Sequence, residues 1–255
     1  MAGFKAYAEK YSTIKMQRRD GILEVRFHTE GGPLRWGKIP HSEFPNAFAD
    51  ISRDRENRVV IITGTGNEFS GPQATAATAS FTQRPTVERV DRVHWESRAL
   101  IMNLLSIDCP VIAAINGPAW RHAEIPLLSD VILAAEHAAF QDSAHFISDM
   151  VPGDGMHVVF PLLFGMNRGR YALLTGQTIS AHEAQQMGVV AEVLTADQVM
   201  VRAWELAEQL ACKPILLLRH TRLLFTEYLK RQMQDLLGYG LALENLAFME
   251  KPETV

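Results

Sequence analysis

The chain has 255 residues, 47% hydrophobic and 21% charged, enough for one substantial core and the balance of an ordinary globular protein. A formal net charge of -4 argues against a nucleic-acid or anionic-membrane partner, and no apolar run approaches the ~20 residues of a bilayer-spanning helix. Cys109 and Cys212 sit in neither a CxxC nor a Cys/His spacing, and the N-terminal stretch lacks a secretory pattern, so a cytoplasmic protein without a disulfide scaffold or zinc site is expected.

In chain order, residues 13–18 and 22–28 form an expected hairpin about Arg19-Asp20-Gly21, because Asp-Gly favours the positive φ angles of a tight turn. Phe44, Phe48 and Ile51 are spaced for a helix, with Pro45 assigned to its first turn. Residues 58–63 are a continuous apolar run, as in a strand covered on both faces. The Gly64-Thr65-Gly66 that follows has Phe69 where a dinucleotide loop needs its third glycine, and reads as a strand-end turn. A loop is expected over 71–86, a helix over 86–105, strands over 110–116 and 131–136, and a helix-like run over 122–129 between them. Helices over 158–164 and 168–175 end at Gly165 and Gly176, and Ser180 with Glu183 forms a capping box opening a helix that stops at Gly188. A strand over 189–194 precedes helices over 198–212, 214–226 and 229–249. The alternation of strands and helices predicts an α/β fold with crossover connections for residues 1–195. The switch to helix alone predicts a packing or oligomerisation region for residues 196–255.

The stretch 109–155 crowds His122, Glu124, Asp142, His145, Asp149 and Asp154 around two apolar strands. Polar groups so placed must be solvated, paired or catalytic. The collinear segments PVIAAINGPAW, SDVILAAEHAAF, VPGDG and RGRYALLTGQTISAHEAQQMGVVAEVL resemble the crotonase (enoyl-CoA hydratase/isomerase) superfamily over residues 58–194. The resemblance implies an α/β spiral of ββα units followed by a C-terminal helical trimerisation lobe, assembled as a homotrimer or dimer of trimers. It also implies that two backbone N–H groups stabilise an enolate oxyanion.

The chain departs from the hydratases of that superfamily in three places. Trp120-Arg121-His122-Ala123 replaces their glycine run and is one residue shorter from Asn116-Gly117, although Glu124 keeps the place of the first catalytic glutamate. The second glutamate falls on Ala144, and the coenzyme A loop, rich in Ala-Gly-Ala-Asp, reads Ser70-Gly71-Pro72-Gln73-Ala74. Hydration of an enoyl thioester is therefore not expected, and neither is coenzyme A nor any other cofactor. A closer resemblance is to the 6-oxocamphor hydrolase-like β-diketone hydrolases. It rests on NGPxxxHxEIP (His122), FQDxxHF (His145), VPGDGxHVV (Asp154), Gly-Leu-Ala-x-Glu (Glu244) and Leu-Arg-Trp (Trp36). That resemblance implies retro-Claisen hydrolysis of the carbon–carbon bond between two carbonyls of a small-molecule diketone.

Such a reaction needs a base for water, a donor for the oxyanion and stabilisation of the departing enolate. A histidine with a carboxylate behind it suits the first task, which His145 and Asp154 fit. His122, at a helix start, could hold the enolate carbonyl, and the Trp36 indole N–H could orient it. Glu244 lies in an apolar helix pattern and is read as a carboxyl turned towards the site. Glu124 reads as a helix-start charge, His157 and Asp142 are second-tier candidates, and Asp149 is expected to be solvated. Phe81, Trp120, Phe146 and Met150 are expected to set substrate size, with Phe81 and Trp120 as substrate-binding residues. No HExxH or i, i+4 histidine pair supports a metal site. Two other readings stay open: a coenzyme A hydratase or isomerase, favoured by Glu124 and opposed by Ala144, and a non-catalytic oligomeric binding protein.

Overall fold

A computed structural model describes residues 3–74 and 83–252. Phe81 and part of the expected loop over 71–86 lie outside the described residues. The hairpin forms as expected: β1 (Ile14–Arg19) pairs antiparallel with β2 (Ile22–Phe27), and Asp20 (φ 52°) and Gly21 (φ 79°) take the positive angles of its turn. The later strands are β3 (Val59–Thr63), β4 (Val111–Ile115), β5 (Val131–Ala135), β6 (Ala139–Phe140), β7 (Ile179–Ser180) and β8 (Glu192–Leu194). A six-stranded mixed sheet runs β1-β2-β3-β4-β5-β8, parallel from β2 onward, and β6 pairs antiparallel with β7 in a small second ladder. Every residue of β3 and β4 is buried, as an apolar run without alternation requires.

The helices are α1 (Lys38–Arg53), α2 (Val87–Leu105), α3 (Glu124–Leu127), α4 (Met156–Phe164), α5 (Met166–Thr175), α6 (Ala181–Gln186), α7 (Ala196–Ala211) and α8 (Ile215–Ala247). On α1, Phe44 meets Phe27 of β2 with ring centroids 4.6 Å apart. α7 lies across β2 to β5, burying Val199, Ala203 and Ala207, small side chains that let the helix approach the sheet. Its Trp204 indole N–H donates to Glu24 Oε2 at 3.0 Å. α8 packs on α2 and α4, anchored by the fully buried Arg222, whose guanidinium pairs with Asp130 and donates through Nε to the Ile107 carbonyl at 2.7 Å. Among the described residues no helix is long and apolar enough to cross a membrane.

Three local expectations change, and two short strands appear that had not been expected. α1 begins at Lys38, so Pro40 occupies its first turn and Pro45 its buried interior. There Pro45 cannot donate to the His41 carbonyl, a loss that the helix's packed face offsets. α8 runs unbroken for 33 residues where two helices were expected, because Glu227-Tyr228 carries no Pro or Gly to stop it. The helix-like run at 122–129 shrinks to the single turn Glu124–Leu127. β6 and β7, two residues each, are too short to leave a periodic signal.

Candidate active site

The chain leaves the C-terminal ends of the parallel strands β3, β4 and β5 in three loops that are tied side by side. Ser70 bridges Ala119, and Ala119 bridges Phe140. The Trp120 N–H donates to the Ser70 carbonyl at 2.8 Å, and the Ser143 N–H to the Trp120 carbonyl at 3.1 Å. These bonds place His122 on the second loop against Asp142 and His145 on the third. His122 itself adopts a left-handed conformation (φ 52°), a sparsely populated state for a side-chain-bearing residue that marks a constrained position. α8 crosses the same region at the Pro-Gly-Asp-Gly loop. A Cβ on Gly153 would lie 2.3 Å from the Gly240 carbonyl oxygen and one on Gly240 2.6 Å from the Gly153 oxygen, so two glycines are what let helix and loop touch. That contact carries Glu244 to the site.

A cavity of about 590 Å3 collects Trp36, His122, His145, Asp154 and Glu244, together with His41. His145 Nδ1 lies 2.7 Å from Asp142 Oδ1, and its Nε2 lies 3.5 Å from Asp154 Oδ2. The same Asp154 oxygen is 3.7 Å from His122 Nδ1, which is itself 2.7 Å from Glu124 Oε1. The Trp36 and His122 rings are 4.0 Å apart, and His41 stands 4.9 Å from His122. Trp36 Nε1, His41 Nδ1, Asp154 Oδ1 and Glu244 Oε2, all on cavity-lining residues, are buried without a hydrogen-bond partner among the described residues, which leaves these polar atoms for a ligand or water to satisfy.

Burial and mutual charge divide these groups. Burial alone would lower His145, but the Asp142 and Asp154 carboxylates outweigh it and hold the imidazole well above its usual value. Burial would raise Asp154, yet His145 and His122 keep it below the ordinary carboxylate range. His122 is pushed down to about 4 by burial, against the pull of Asp154, and His41 to about 3 by burial and by His122. Glu124 is driven well above its usual value by burial and by Asp154. Burial lifts Glu244 to about 8 although His145 opposes it. At neutral pH the site therefore holds a cationic His145 facing Asp142 and Asp154, neutral His122 and His41, and a protonated Glu244, with Glu124 drawn towards its protonated form.

The arrangement departs from the expected one in order. The carboxylate behind His145 is Asp142, three residues away, and Asp154 stands in front, between the two histidines. Glu124 belongs to His122 rather than to a helix dipole, since α3 is a single turn. Ala144 lines the cavity at the place of the hydratases' second glutamate. Trp120 is half-buried and is not among the cavity's lining residues, while Met150 is. His157 bonds the Pro152 carbonyl through Nδ1 at 2.9 Å, and Asp149 is exposed. Sequence reasoning misses His41. Its signal is the i, i+3, i+7 spacing with Phe44 and Phe48, visible only once α1 starts at Lys38.

His122, Glu124 and Asp154 offer atoms within 4.8 Å of one another, close enough to be tested as a cation site. A metal would need the His122 Nδ1 lone pair and ionised carboxylates. Here Nδ1 is already bonded to Glu124, whose carboxyl burial and Asp154 hold well above its usual value, so the donor set favours a hydrogen-bonded array.

Residues 40–254 match the profile of the enoyl-CoA hydratase/isomerase family, and the chain belongs to that family. Within it, the chain is similar to ABDH, a β-diketone hydrolase from the cyanobacterium Anabaena, solved with (S)-3-oxocyclohexyl acetic acid bound. The two are 44% identical over 96% of this chain and 97% of that one, with a TM-score of 0.90. A probable enoyl-CoA hydratase of Mycobacterium tuberculosis is 30% identical over 172 residues, 65% of this chain; the match spans 59% of that relative's length. An enoyl-CoA hydratase/isomerase from Mycobacterium paratuberculosis shares 22% identity over 94% of this chain and 95% of that one with a TM-score of 0.84, a likeness of fold alone. The α/β crotonase fold with a mixed sheet and a long C-terminal helix is thus the fold of this chain.

Proposed function

We propose that the protein is a β-diketone hydrolase, which splits the carbon–carbon bond between two carbonyls by a retro-Claisen reaction and needs no coenzyme A. The observation that carries this reading is the 44% identity to a β-diketone hydrolase over 96% of the chain. The buried His145–Asp154–His122 array supplies the chemistry it calls for.

In this reading one carbonyl of the diketone accepts a hydrogen bond from the unpartnered Trp36 indole N–H and lies against His122. A protonated Glu124 donating to His122 Nδ1 leaves the other ring nitrogen as the N–H donor towards the substrate. Both nitrogens of His145 face carboxylates, so the open acceptor of the His145–Asp154 pair is Asp154 Oδ1. The pair takes a proton from water there, and the hydroxyl oxygen adds to the second carbonyl carbon. Collapse of the tetrahedral intermediate restores a carbonyl as a carboxylic acid and breaks the bond to the carbon between the two carbonyls. The released electron pair passes to the enolate oxygen, at the Trp36 and His122 donors and any backbone N–H within reach. Glu244, protonated at neutral pH, is placed to return a proton to the enolate carbon, and the proton held by the pair then restores Glu244. One diketone and one water give one keto acid. Of the backbone donors in the segment that replaces the coenzyme A loop, the Ala74 N–H is taken by Ser143 Oγ at 3.0 Å, which throws more of the enolate's stabilisation onto side chains.

The protein is further proposed to assemble as a homotrimer or dimer of trimers through the region 196–255. Leu216, Leu217, Leu224, Phe225 and Tyr228, all exposed on the one helix α8, support this. The free thiols of buried Cys109 and exposed Cys212 fit a cytoplasmic site of action.

The test is to mix the purified protein with mono- and bicyclic β-diketones, without coenzyme A, and follow the loss of their ultraviolet enolate absorbance. Turnover of at least one diketone is expected. Hydration of an enoyl thioester with no diketone consumed would overturn the reading.

A further inference from the structure

Besides Arg121, the cavity is lined by four charged residues that the proposed reaction leaves unused: Lys38, Arg89, Arg92 and Glu96. Lys38 is the first residue of α1, and the other three lie on α2. Lys38, Arg89 and Arg92 are exposed, whereas Glu96 is 5% exposed. Among the described residues, neither Lys38 nor Arg92 has a hydrogen-bond or ion-pair partner, and both act on Glu96 only at longer range. Gly37, which also lines the cavity, caps α1 without a side chain to occupy the first free N–H groups of the helix. Two cations, Lys38 and Arg92, thus act on the Glu96 carboxyl beside a helix N-terminus, in a chain whose net charge is -4. Ordinary surface cations find carboxylates on an acidic protein. These line the concavity that holds the reacting groups, where low-dielectric walls strengthen a charge pair relative to open surface.

We propose that this rim holds a carboxylate carried by the substrate at a position remote from its two carbonyls, so that the preferred substrates are β-diketones with an acidic side chain. Lys38 and Arg92 are its charged donors. The inference rests on the reading of the protein as a β-diketone hydrolase and names the substrate class of that same cavity. A carboxylate paired with two cations gains charge-assisted hydrogen bonds that an alkyl chain cannot make, a difference of roughly tenfold or more in kcat/KM.

The experiment compares two cyclic diketones, both quaternary between the carbonyls, one bearing a propyl and the other a carboxyethyl side chain. Keto acid formation is measured by chromatography with the full-length protein. The carboxylated substrate is expected to be preferred about tenfold at low salt, through KM, and the preference to shrink as ionic strength rises. In the doubly substituted Lys38→Gln, Arg92→Gln protein the ratio of the two kcat/KM values is expected to fall to about one, a comparison that cancels any general loss of activity. Turnover of both substrates without preference would overturn the inference and leave the reading intact. Turnover of neither would overturn both. Strong competition by free coenzyme A against the propyl diketone would assign the rim to phosphates instead and overturn the carboxylate assignment.

Discussion

Asp154 is the residue on which the site converges, with one oxygen between His145 and His122 and the other open to the cavity. In the proposed reaction its low carboxyl and the high one of Glu244 separate the two proton-transfer tasks: the first accepts at neutral pH and the second donates. The sign of the pH dependence follows. If Glu244 donates as proposed, its active form is lost as pH rises through about 8, and kcat should fall about tenfold per unit above that. On the acid side the rate should hold until about 4, where His122 gains a proton. Glu244→Gln should lower kcat by about 100-fold and abolish the alkaline limb, read from a rate profile over pH 4 to 10. An alkaline limb that persists in the variant would remove Glu244 from the proton transfer. The proposed catalytic residues were legible because each sits in a short local pattern, such as FQDxxHF or VPGDG. Their partners were not. Asp142 and Asp154 lie three and nine residues from His145, and only the fold decides which stands behind the ring.

At the level of elements, the site depends on one close approach, between the loop bearing Asp154 and the helix α8 bearing Glu244. The carbonyl contacts at Gly153 and Gly240 leave no room for a Cβ, and at Gly240 the His157 ring would be struck as well, at 2.2 Å. Gly240→Ala should therefore push loop and helix apart, destabilising the fold by about 1–3 kcal/mol and lowering kcat at least tenfold while far-ultraviolet circular dichroism is retained. Wild-type kcat in that variant would show that Glu244 need not reach the site through this contact. The hairpin at Asp20-Gly21 and the Ser180–Glu183 capping box could be read from sequence, since each is a local bargain between side chain and backbone. The start of α1 could not. Gly37 caps it without a side chain, and two prolines lie within its first eight residues, so the usual signals at that end are missing.

The whole molecule combines a buried mixed sheet, a cavity beyond the ends of its parallel strands, and a long helix that reaches the cavity with one face. The other face of α8 exposes Leu216, Leu217, Leu224 and Phe225. Sedimentation equilibrium should give three or six copies per particle at micromolar concentration, and a stable monomer would refute the proposed assembly. The architecture was legible because the segment order from Arg58 to Leu194 repeats that of a known superfamily, whereas α7 and α8 left only helical periodicity. In the proposed reaction water splits a carbon–carbon bond without coenzyme A. Its most direct measurement is cleavage of a cyclic β-diketone in 18O-labelled water, with mass analysis of the product. One labelled oxygen in the new carboxyl group per turnover, with cleavage abolished in Asp154→Asn, is the predicted result. Cleavage without incorporated label, or at the wild-type rate in Asp154→Asn, would contradict it.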